Sequence, residues 1–170
     1  MATTIFGTPA APVWTRGVSV GAALIRFAEI WLAPLVLLAI RLWMADIFFR
    51  SGLLKIQNLS GAVFLFTEIH PVPFVAPWLA AYLVTTIELV CATLLALGLA
   101  ARLAAVPMLA MAVVIQFVIG AADPAFHLTE HYYWMFLLLV IVTKGPGRLS
   151  LDCLLARRLL SDQPRPAARR

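Results

Sequence analysis

Apolar residues run almost unbroken from about Pro34 to Leu54, Pro77 to Leu99, Leu103 to Ile119 and Tyr132 to Thr143. A membrane-spanning helix needs roughly 20 mostly apolar residues, and the first three runs meet that length. Pro34 and Pro77 stand where a proline opens a helix without losing a hydrogen bond. The fourth run is short, but Glu130, His131 and Lys144 at its ends extend it to a spanning length by snorkelling. Ahead of the first run, VGAALIRFAEIW forms either an interfacial helix or a cytoplasmic extension of the same helix. GLAAR, residues 98–102, is a tight turn that makes the second and third spans antiparallel neighbours. Residues 56–76 are a longer connection whose core, LSGAVFLFTEIH, is apolar but too short to span. It predicts a helix lying at the interface or dipping back into the protein. GAADPAFHLTE is a polar loop lacking Lys and Arg, and TKGPGRLSLD breaks the last span before the amphipathic LLARRLL. No period of 20 to 50 residues repeats. The fold class expected is all-α: a four-helix transmembrane bundle with an interfacial helix in the first outer loop. It divides into an N-terminal arm (1–33), the four-span domain (34–155) and a basic tail (156–170).

Composition agrees. Of 170 residues, 63% are hydrophobic and 12% charged, with a mean hydropathy of +0.97. Soluble domains carry about 25% charged residues, so lipid must cover much of this surface. The +5 charge does not indicate nucleic acid. Arg157, Arg158, Arg165, Arg169 and Arg170 cluster at the C-terminus without aromatic interleaving, as at an end facing anionic lipid. With both termini inside, ten Lys and Arg fall on the cytoplasmic side and two, Arg50 and Lys55, on the outer side. The positive-inside rule then sets N-in, C-in. No cleaved signal peptide is expected in MATTIFGTPAAPVWTRG. Cys91 and Cys153 form no CxxC pair, and their separation argues against a disulfide.

The first span carries ionisable residues that a bilayer does not accept unless they are sheltered. Entering at Pro34, Arg41 lies about 10 Å in, Asp46 about 18 Å and Arg50 about 24 Å, while Glu88 comes within about 15 Å of the inner edge. Arg41 and Glu88 are therefore expected to pair across the helices. At 100° per residue, Arg41, Gly52 and Lys55 share one face. Asp46 and Arg50 lie opposite, four residues apart, and can pair with each other. A helix charged on two faces predicts enclosure of both, with Gln116 near the depth of Asp46 in a polar seam opening outward. Lys55, Glu68, His70, His127 and His131 form an outer-side polar cluster. His127 and His131, if helical, stand one turn apart, a spacing that can hold a metal or haem iron. Alone it is a weak signal, because a complete site needs further ligands. The structural alternative is helix-to-helix glue and interfacial histidines beside the aromatic Tyr132, Tyr133 and Trp134.

Four segments carry a family resemblance: RLWMADIFFRSGLLK (41–55), FTEIHPVPFVAPWLAAYLVTTIE (66–88), LLALGLAARLAA (94–105) and EHYYWMFLLLVIVTKGPGRLSLD (130–152). In order and spacing they resemble the DoxX family of small bacterial four-helix membrane proteins. Glu88, Gly98 and Arg102 in an E-x9-G-x3-R pattern, with GPGRLSLD after the last span, are specific in combination. The resemblance implies a bacterial inner-membrane protein linked to redox metabolism. Members are named for a subunit of an archaeal terminal quinol oxidase and thiosulfate:quinone oxidoreductase, and relatives are linked to a membrane-associated complex handling thiol and oxidative stress. The chain has no Rossmann glycine motif, CxxC or P-loop, so flavin, nicotinamide or thiol chemistry would come from a partner. Three functions follow: a quinone-interacting subunit of a redox complex, a non-catalytic anchor for a soluble oxidoreductase, and a metal or small-solute handler. Self-association would also bury the polar seam, with the number of copies unset.

Overall fold

The computed structural model describes residues 13–69, 71–72 and 74–161. Helix α1 (Val13–Phe27) passes through a π-helical turn (Ala28–Leu32) into α2 (Ala33–Gln57) without a break. The stretch before the first apolar run is thus continuous with the same helix. Asn58 leaves helical geometry, and its side chain accepts from the Gly61 amide at 3.0 Å. That bond caps α3 (Leu59–Phe64), which runs on through a π turn (Leu65–Ile69). Ala62 and Phe66 of this segment pack on Ala80 and Ala81 near the start of the next helix.

That helix, α4 (Pro77–Leu97), opens with its proline after an extended Ala76 and closes on Gly98 in the left-handed region. The amide of Leu99 donates to the Leu94 carbonyl and that of Gly98 to the Leu95 carbonyl, the paired closure that a left-handed glycine permits. Two residues further, α5 (Ala101–Val114) starts, continues through a π turn (Ile115–Ile119) and ends in the short α6 (Gly120–Ala122). The polar loop expected next contains a 3-10 turn (Pro124–Phe126), with the Asp123 carboxylate accepting from the Ala125 amide. Helix α7 (Thr129–Lys144) follows, then a glycine-bearing turn and α8 (Leu151–Ser161).

One core draws on α2, α4, α5 and α7, with Met44, Leu95, Met108, Leu138 and Ile141 fully enclosed. Alanines fill the closest contacts: Ala92, Ala101, Ala105 and Ala112 are buried. In lipid, helices associate by close packing rather than by hydrophobic exclusion, and small residues allow that approach. Among the described residues, three helical stretches are long and apolar enough to cross a membrane: Val20–Gln57, Pro77–Leu97 and Ala101–Ala122. Helix α7 has 16 residues, about 24 Å at the standard rise. Arg102, Lys144, Arg148, Arg157 and Arg158 gather around one end of the molecule, termed the basic end below.

Candidate functional site

Arg41 stands at the basic end and is 1% exposed. Its Nη1 donates to the carbonyls of Pro146 at 2.8 Å and Leu149 at 2.9 Å, and Nη2 to that of Ala96 at 3.2 Å. The guanidinium thus ties the turn after α7 to the last turn of α4, where the helix dipole is negative. Asp152 completes the joint. Its carboxylate accepts from the amides of Ala100 at 2.8 Å and Ala101 at 3.3 Å, and its own amide donates to the Gly98 carbonyl. The expected Arg41–Glu88 contact is not formed. Counting depth from Pro34 placed Arg41 too far in, because the helix continues through Pro34 and the end of α4 lies level with Arg41.

Glu88 instead pairs with Lys55. Lys55 Nζ reaches both carboxylate oxygens at 2.7 Å and donates to Ser51 Oγ at 2.7 Å, while Ser51 Oγ donates to Glu88 Oε1 at 3.2 Å. The side chains are 16% and 7% exposed. Gly52 sets this register: a Cβ there would lie 2.9 Å from Leu89 Cγ and 3.1 Å from Glu88 Cβ. Its absence lets α2 and α4 approach closely enough for the ion pair.

A second buried polar group lies on the π turn of α5 and the start of α7. Gln116 Oε1 and His131 Nδ1 are 2.8 Å apart, and the residues are 0% and 5% exposed. Gln116 Nε2 is buried without a hydrogen-bond partner. The His131 ring meets Trp134 edge-on at 4.9 Å, and Trp134 in turn lies 5.9 Å from Phe48 on α2. Counted from the basic end, Glu88 stands about 15 Å up and Gln116 about 22 Å. Glu88 therefore stands near mid-height of α4, and Gln116 lies farther from Arg41.

Asp46 and Arg50 do pair, Nε to Oδ1 at 2.8 Å, but on the outside of the chain. Their side chains are 58% and 76% exposed, so the expected enclosure of both faces of α2 is corrected. The angular spacing that puts Arg41, Gly52 and Lys55 inward necessarily turns this pair outward. Each exposed charge at membrane depth costs about 2.5–3.5 kcal/mol on insertion scales.

The outer cluster is not one site. Glu68 is exposed, and His70 lies outside the described residues. His127 precedes α7 in the turn after Pro124–Phe126, is exposed, and stacks edge-on with Tyr132. The histidine pair is therefore not presented from one helical face, because the helix begins only at Thr129. Among the described residues no group of three His, Cys, Asp or Glu could hold a metal. Cys91 and Cys153 are free thiols. Ser51 and Asp152 were missed as participants. Serine one turn before a lysine, and aspartate following the GPGR turn, were the available signals.

A chain whose described residues form helices alone, three of them apolar and long enough to cross a membrane, is an integral membrane protein. The DoxX family model matches residues 36–121, and the chain belongs to that family. The matched stretch holds Arg41, Lys55, Glu88 and Gln116 but stops before His131 and the GPGRLSLD turn. The chain matches none of the curated proteins and none of the solved structures.

Proposed function

We propose that the protein is a non-flavin, quinone-interacting membrane subunit of a redox complex. It crosses the bacterial inner membrane four times, with α7 as the fourth span and α3 at the outer interface. The basic end then faces the cytoplasm, as its arginines and lysine favour. The observation carrying this reading is the buried Gln116–His131 group remote from that end, with Glu88 buried at mid-height. A quinone needs an apolar slot between helices, with hydrogen-bond donors and proton-exchanging groups at its carbonyls. Gln116 Nε2 supplies a buried donor without a partner. His131 and Glu88 are groups of the type that exchange protons, and both are 5% exposed in an apolar core. Electron transfer centres come from a partner protein.

Purification with its membrane and soluble neighbours in mild detergent tests this. Bound quinone and quinone-dependent turnover are expected, and His131→Ala or Glu88→Gln should lower turnover at least tenfold with helix content unchanged. A complex with no quinone and no quinone-dependent turnover contradicts it.

A second reading rests on α8. This amphipathic helix carries Arg157 and Arg158 beside exposed Leu154, Leu155 and Leu159, suiting a non-catalytic anchor that docks a soluble oxidoreductase. Deleting residues 157–170 should then release the partner and leave the bundle folded. A deletion that keeps the partner bound contradicts that reading.

A further inference from the structure

The outward Asp46–Arg50 pair has no shelter within one chain. It sits about 7 and 13 Å above Arg41 along α2, within the apolar part of the helix. Only one bond joins it: Arg50 Nε to Asp46 Oδ1. The two terminal guanidinium nitrogens and Asp46 Oδ2 have no bond among the described residues. The pair also stands in a regular row. Ala39, Leu42, Asp46, Phe49, Leu53 and Ile56 are all exposed, and they are spaced alternately three and four residues apart. That is the spacing along which two helices pack side by side. Beside the row, Ala45, Ala92, Thr93 and Ala96 floor a hollow of 360 Å³ between α2 and α4. The face thus extends onto a second helix with small residues that allow close approach.

We infer that this face joins two copies of the chain, with Asp46 and Arg50 of each copy closing a four-charge ring. Copies inserted in the same direction are related by a two-fold axis along the membrane normal, so one strip must complement itself. The Asp46–Arg50 strip does. Across the axis, each Arg50 reaches the second copy's Asp46 with its terminal nitrogens while Nε keeps its own. Alternating charges surround the axis, hydrocarbon is excluded, and the free acceptor and donors are used. A single polar position in an apolar row also fixes register and copy number. Neither the quinone reading nor the anchor reading is needed for this interface.

The test is disulfide crosslinking in native membranes, with the full chain carrying Cys91→Ala and Cys153→Ala. Leu42→Cys on the row reports the interface, and Leu83→Cys on the exposed side of α4 is the control. Crosslinked dimer is expected for Leu42→Cys and at least tenfold less for Leu83→Cys. Asp46→Arg alone and Arg50→Asp alone should each lower the Leu42→Cys dimer at least tenfold, by placing four like charges at the axis. Co-expressing the two charge variants should restore it as a mixed dimer. Asp46→Asn, the milder change, should also reduce it, and helix content and elution volume establish that each variant folds. Equal crosslinking at Leu83→Cys overturns the inference. So does a monomer at Leu42→Cys, as expected if a lipid headgroup or a different protein pairs with Arg50. Mixed charge variants that stay monomeric overturn it as well.

Discussion

Arg41 lies directly against Gly98: a Cβ at Gly98 would come within 2.6 Å of Arg41 Nη1 and 2.7 Å of Ser150 Cβ. Two demands meet at this glycine. Its φ of +69° suits a residue without a side chain, and the guanidinium occupies the space a side chain would need. Gly98→Ala should therefore destabilise the protein by about 1–3 kcal/mol from backbone strain, with more lost as Arg41 is displaced from its three carbonyls. Unfolding by SDS titration measures the loss. Cleavage by added protease between Pro146 and Leu149 should rise in the same variant, because that turn is held by Arg41.

Asp152 acts on the start of α5 from 51 and 52 residues away. Its carboxylate caps two amides, and a lost cap costs about 0.5–2 kcal/mol. Asp152→Ala should lose this amount in the same titration, and Asp152→Asn, which retains one acceptor oxygen, should lose less. Ala100, at φ +46°, predicts the opposite sign. Ala100→Gly should raise stability.

Gln116 Oε1 and His131 Nδ1 share one hydrogen bond in an apolar surrounding. Gln116→Leu leaves His131 Nδ1 without its partner, and an unmet buried polar group costs about 1–3 kcal/mol. His131→Phe alone leaves the amide with both ends unmet. The double variant removes both polar groups and should recover most of the loss, which a double-mutant cycle reads directly. Additive losses would contradict a direct hydrogen bond.

The Lys55–Glu88 pair is expected to behave as a unit. Lys55→Met strands a buried carboxylate and should cost about 3–5 kcal/mol, whereas Lys55→Met with Glu88→Leu should approach wild-type stability, as buried pairs replaced by apolar residues do. Thermal unfolding in detergent checks both.

The helix limits at Pro77 and Gly98, the tight turn before α5 and the shared face of Arg41, Gly52 and Lys55 on α2 were legible because proline, glycine and a 100° repeat act locally. Pairing across helices was less so. Arg41 and Glu88 seemed level only when Pro34 was taken as the membrane edge, and a helix running unbroken from Val13 removes that landmark. The true register depends on Gly52 meeting Leu89 and Glu88, a contact that no spacing within one helix reveals. The bond between Gln116 and His131 depends on the π turn at Ile115–Ile119, which shifts the facing of α5 and has no sequence signature of its own.

Charge exchange across α2 and α4 tests most directly how the core encloses its ions. Lys55→Glu and Glu88→Lys should each abolish folding or lower the thermal midpoint sharply, and combining them should restore it. Arg41→Glu combined with Glu88→Arg should remain as damaged as either change alone. Recovery by that Arg41 pair, with none by the Lys55 pair, would contradict the arrangement.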